Sequence, residues 1–125
     1  MDQYVEKLQE IVAADPRYQI DAYLFIFQAL DFAASTRKEK KHLTGKELLE
    51  TIRQFAIQEF GPLSLDVLRH WGIDRCEDWG EVVFNLVAKG LLSKTEEDKK
   101  EDFRGGYDFR EAFEKPFRFH SENKQ

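Results

Sequence analysis

The chain has 125 residues, a net charge of −5 and a pI near 5.3, and 42% of it is apolar, including eleven Phe, four Tyr and two Trp. That length suits one domain with a real core, which argues against intrinsic disorder away from the ends. The acidic balance disfavours a general nucleic-acid or anionic-membrane binder. One cysteine excludes an internal disulfide framework and a cysteine-based zinc site. No apolar run reaches membrane-span length and no basic leader precedes one, so the expectation is a cytoplasmic protein.

A first helix is expected from about Asp2 to Ala14, with Tyr4, Val5, Leu8, Ile11 and Val12 on one face. Asp15-Pro16 ends it, because a residue before proline avoids helical backbone. The second helix, Ile20 to Ser35, is apolar almost all round, broken only by a narrow stripe of Asp21, Gln28, Asp31 and Ser35. Such a helix is the buried centre of a bundle. Its other reading is a self-association face or partner groove built from Phe25, Phe27 and Phe32, which would make the chain a homo-oligomer through helix 20–35.

The next stretch, Thr36 to Lys41, is basic: Arg37, Lys38, Lys40 and Lys41 against Glu39. It reads as a solvated connection complementing the end of the second helix, or as a phosphate or RNA contact. Thr44 and Glu47 then form a capping box for a third helix with Leu48, Leu49, Ile52, Phe55, Ala56 and Phe60 inward, stopped by Gly61-Pro62. Ser64 is expected to N-cap a short fourth helix to Trp71, with Leu65, Leu68 and Trp71 inward and Gly72 as its end. A fifth helix begins near Cys76–Asp78 and stops at Lys89-Gly90.

From Asp78 to Phe109 the order reads helix, short strand (Leu91–Thr95), charged connection, Gly105-Gly106 and second short strand (Tyr107–Phe109). That is the C-terminal half of a winged helix. The fold expected is therefore mainly α: a winged-helix-like unit of three helices plus a small β-hairpin at 44–109, with two N-terminal helices at 1–35. All of this lies in one globular domain, 1–119, with a polar tail at 120–125. The alternative is an all-α helical bundle with an irregular C-terminal arm. Arg110–Glu114 fits one helical turn, Pro116 breaks it, and Phe117-Arg118-Phe119 alternates like a short strand.

On the fifth helix Trp79, Val82, Val83, Leu86 and Val87 share the core face, leaving Glu77, Glu81, Phe84, Asn85 and Ala88 outside. A DNA-reading winged helix would put that outer face in the major groove. Here Cys76 to Phe109 carries nine acids against five bases, a net −4 that phosphate repels. Glu77, Glu81, Phe84 and Asn85 form instead a candidate partner surface, with Phe84 as the apolar anchor.

Residue types that carry chemistry are present without a pattern that does so. His42, His70 and His120 are far apart, and only His70 has a carboxylate, Asp66, at helical spacing, which reads as a surface pair. Cys76 reads as a packing residue, since Glu77 and Asp78 oppose the thiolate and no histidine is placed to activate it. Glu96, Glu97, Asp98, Glu101 and Asp102 lack calcium-loop spacing. Arg104-Gly105-Gly106 reads as a turn before it reads as an anion nest. No phosphate-loop, dinucleotide or nucleophile-elbow motif occurs. No catalytic, cofactor or metal residue is assigned, and no cofactor is expected.

Taken together, HLTGKELL, FAIQEFGPLSLDVLRHWGI and EDWGEVVFNLVAKGLLSKTEEDKKEDFRGGYDF resemble a bacterial family found mainly in planctomycetes and verrucomicrobia, over about residues 20 to 113. The resemblance implies no activity and names no catalytic residue. It marks His42, Thr44, Gly45, Gly61, Trp71, Gly72, Trp79, Glu81, Asn85, Gly90, Leu91, Thr95, Asp102 and Tyr107-Asp108-Phe109 as pattern positions. Most of these are caps, stops and core aromatics. Glu81 and Asn85, one turn apart on the outer face, have no such account.

Three functions are weighed. The first is a protein-interaction or adaptor module using the fifth helix. The second is a nucleic-acid or ribosome-associated protein using Arg37–Lys41, whose affinity would fall steeply with salt. The third is an enzyme whose site assembles in three dimensions from Glu81, Asn85, His70 and Tyr107.

Overall fold

The second helix takes the centre because only a narrow stripe of it can face water. In the computed structural model, which describes residues 3–36, 43–93 and 100–117, this helix is α2 (Ile20–Thr36), preceded by α1 (Gln3–Ala14). Ala22, Tyr23, Phe25, Ile26, Ala29 and Ala33 are buried, while Asp21, Leu24, Gln28, Asp31 and Ser35 are exposed. Phe25 is the hub of an aromatic cluster, with ring centroids 5.1 Å from Phe55, 5.4 Å from Trp71, 5.7 Å from Phe60 and 5.8 Å from Trp79. Offset and tilted contacts of this kind add roughly 0.5–1.5 kcal/mol each beyond area burial. The Trp79 indole N–H is buried with no acceptor among the described residues.

Around α2 pack α1, α3 (Gly45–Phe60) and α5 (Cys76–Ala88). The capping box on α3 forms as expected: the Thr44 hydroxyl accepts from Glu47 N at 3.1 Å, and Glu47 returns a carboxylate oxygen to Thr44 N at 3.0 Å. Between α3 and α5 lie a 3-10 turn at Gly61–Leu63 and the short α4 (Ser64–His70). Ser64 does not cap α4. It is buried in helical backbone, and its hydroxyl donates to Gly61 O at 2.7 Å and Ala56 O at 3.1 Å. The 3-10 turn runs straight into α4, so the extended backbone that an N-cap needs never forms.

Helices α4 and α5 end alike. Gly72 N bonds to Arg69 O and Ile73 N to Leu68 O; Gly90 N bonds to Val87 O and Leu91 N to Leu86 O. Each glycine has a left-handed φ, 93° and 77°. This pairing satisfies the last helical carbonyls and folds the next apolar residue back onto the helix.

That fold-back decides the fate of the expected hairpin. Among the described residues there is no strand. Leu91 and Leu92 pack half-buried against the core. A 3-10 turn at Lys100–Phe103 inserts Phe103, and Asp108 accepts from Arg110 N and Glu111 N to cap α6 (Phe109–Phe113). The winged-helix reading is thus corrected: the apolar residues on both sides of the charged connection fill gaps between helices instead of alternating across a sheet. The all-α bundle with an irregular C-terminal arm fits. One cluster of buried side chains runs from Leu8 to Phe113. No helix among the described residues is long and apolar enough to cross a membrane.

Candidate functional site

The turn between α1 and α2 brings polar side chains onto α5. Asp15 ends α1 and is clamped by Arg17, whose Nε and Nη2 donate to its two oxygens at 2.8 and 2.7 Å. Arg17 lies 5.0 Å over the Tyr18 ring and reaches Glu81 Oε1 at 3.4 Å. The Tyr18 hydroxyl donates to Asp78 Oδ1 at 2.8 Å, while Asp78 Oδ2 accepts from Asp74 N and Arg75 N at the start of α5. Gln19 N donates to Trp71 O at 3.0 Å, docking the turn on the end of α4.

Asn85 completes this seam. Its Nδ2 donates to Asp15 Oδ2 at 3.0 Å and to the Tyr23 hydroxyl at 3.1 Å. The expected outward face of α5 is therefore half-covered by its own chain. Glu81 receives Arg17 and, at 3.2 Å, Lys100 Nζ. Glu77 accepts from Gly105 N at 3.2 Å. Phe84 is half-buried against the core cluster. The four residues proposed as a partner surface are each engaged with their own chain, Glu77, Glu81 and Asn85 through polar groups that a helical wheel sorts as solvent and Phe84 through packing on the core.

The electrostatics follow from that geometry. The Arg17 guanidinium, helped by Asn85, holds the Asp15 carboxyl well below the usual carboxylate range. Burial, reinforced by Asp78, pushes the Tyr18 phenol up, and burial does the same to Tyr23. These shifts mark an ion pair and buried hydroxyls holding elements together.

Of the four residues considered for an enzyme, Tyr107 gives its hydroxyl to Leu49 O at 2.8 Å, His70 is exposed at the end of α4, and no hydrogen bond joins the four directly. Cys76 is buried, with its thiol pushed up to about 11 by desolvation. Among the described residues no three His, Cys, Asp or Glu gather as a metal site would need. The basic stretch Arg37, Lys38, Lys40 and Lys41 lies outside the described residues, as do His42, Thr95, Glu96–Asp98 and the expected strand beyond Phe117.

A different feature is open. Between α4 and α6 runs a groove of about 260 Å³ lined by Pro62, Leu65, Asp66, Phe113, Glu114 and Phe117. Leu63, in the 3-10 turn that supplies Pro62, is 61% exposed. Asp66 is exposed and has no hydrogen-bond or ion-pair partner among the described residues. Glu114 holds Arg110 at 3.4 Å. The sequence signal for this site was Leu63, an apolar residue set between a proline and the start of α4. Comparisons with protein-family models, with curated proteins and with solved structures return no match.

Proposed function

We propose that the chain is a non-enzymatic protein-interaction module and that its docking site is the α4–α6 groove. The occupant is a segment of another protein that sets an apolar side chain against Leu63 and the groove, with a Lys or Arg beside it. The observation carrying this is one juxtaposition: Leu63, 61% exposed, directly follows Pro62 at a groove also lined by Phe113 and Phe117, with Asp66, which has no partner among the described residues, at its rim. A lone exposed leucine is ordinary on a protein surface. Beside a recess walled by Phe113 and Phe117 it offers anchor area, and Asp66 supplies charge complementary to a basic flank.

The test uses Leu63→Asp and Asp66→Lys on the full chain. Both positions are exposed, so melting temperature should stay within ~3 °C of wild type. Affinity capture from nuclease-treated native lysate should lose the same specific partner with both variants. Equal recovery of that partner by wild type and both variants would place the interaction elsewhere.

A further inference from the structure

The segment from Lys100 to Tyr107 crosses α5 and the start of α3, held by the buried Phe103 and the half-buried Tyr107. Phe103 is buried between two glycines: a Cβ on Gly80 would lie 3.0 Å from Phe103 Cβ, and one on Gly45 would lie 3.1 Å from its ring. Around Phe103, Lys100, Glu101, Arg104, Gly105 and Gly106 are exposed. Two ties to α5 are also exposed, Lys100 Nζ to Glu81 and Gly105 N to Glu77. The third tie is the Tyr107 hydroxyl on Leu49 O. Beneath the segment lies Cys76, the chain's one cysteine. Its sulfur accepts from Tyr107 N at 3.4 Å, and a Cβ on Gly106 would come within 3.1 Å of it. Past Tyr107 the chain is fixed again by the Asp108 cap and the fully buried Phe113.

A segment with one buried side chain, a half-buried Tyr107, two exposed polar ties and a Gly-Gly joint, Gly105 at φ 63°, buries far fewer side chains than α3 and α5 beneath it, which bury six residues each. We propose that residues 100–107 form a latch that opens as a unit while the helical core stays folded, uncovering α5 at Cys76 and Gly80. Opening of this kind belongs to the low-stability end of the local unfolding spectrum.

Thiol labelling of the full chain by 5,5′-dithiobis(2-nitrobenzoate), followed across urea concentrations below the unfolding midpoint, tests this. A latch predicts that the wild-type rate depends on urea far less steeply than global unfolding does. Phe103→Ala should raise the rate in water by more than ~100-fold, the size expected for a lost buried ring. Ile26→Ala, in the centre of α2, should lower the urea midpoint and leave the rate in water unchanged. Glu77→Gln, a partly exposed change that keeps the core intact, should raise the rate severalfold while lowering the midpoint far less than Ile26→Ala does. Labelling that follows the urea slope of global unfolding, or a rate that Ile26→Ala raises while Glu77→Gln does not, overturns the latch.

Discussion

The α5 seam and the α4–α6 corner are both places where a helix meets a less regular part of the chain, yet they are built in opposite ways. At the seam every conspicuous polar group is taken: Asp15 by Arg17 and Asn85, Tyr23 by Asn85, Tyr18 by Asp78, Glu81 by Arg17 and Lys100. At the corner an exposed apolar residue stands near a carboxylate that has no partner among the described residues. Conspicuous polar residues at helical spacing can signal internal cohesion, because buried polar groups must be satisfied. An apolar side chain left out of the core beside a recess is the better sign of an external partner. The seam should therefore govern stability, and the corner should govern binding.

The largest effect should come from Gly72→Ala. A Cβ there would lie 2.1 Å from Arg17 O, at a φ of +93°, so it would both strain α4's end and lift the α1–α2 turn from its dock. A loss of about 2–5 kcal/mol is expected by urea unfolding. Next is Asn85→Ala, which strips a donor from both Asp15 and Tyr23 and should cost about 1–3 kcal/mol. A cost near zero would mean that the seam is not holding the helices together.

Asp15→Asn sharpens the point through pH. The folded-state pKa of Asp15 lies below its ordinary value of 3.8, so its contribution is full above that value and is lost as pH falls toward the folded pKa. Wild type should lose stability in acid below about pH 4, and the variant should lose less over the same window. Glu50, lowered by Arg53, shares the direction, so the acid limb should shrink without vanishing. The smallest stability effect belongs to the corner: Leu63→Asp should move unfolding free energy by no more than about 0.5 kcal/mol.

Much of this was legible in the chain itself. The apolar ring of α2, the Thr44–Glu47 box and the Lys89-Gly90 stop each rest on local chemistry that needs no tertiary partner. The described parts of the expected strands, 91–93 and 107–109, are not strands. A short apolar run after a helix stop looks the same whether it pairs or fills a gap; Asp108 as a cap is the competing signal. Glu81 and Asn85 were placed outside because their partners are a turn and a hydroxyl some sixty to seventy residues away. The tyrosines gave a clue: Tyr18 and Tyr23, in or beside an apolar helix, need hydrogen-bond partners once buried. The groove escaped because it exists only when α6 returns to α4. Thr44, Gly72, Gly90, Glu81 and Asn85 each have a structural account in caps, helix stops and the seam.

The most direct test compares Leu63→Asp with Glu81→Gln, side by side, in quantitative capture of one specific partner, with melting temperature recorded for each. The account predicts that Leu63→Asp loses the partner with its melting temperature unchanged, and that Glu81→Gln keeps the partner despite a small drop in melting temperature. If Glu81→Gln loses the partner and Leu63→Asp retains it, the outer face of α5 is the binding surface and the division between a cohesive seam and an open corner is wrong.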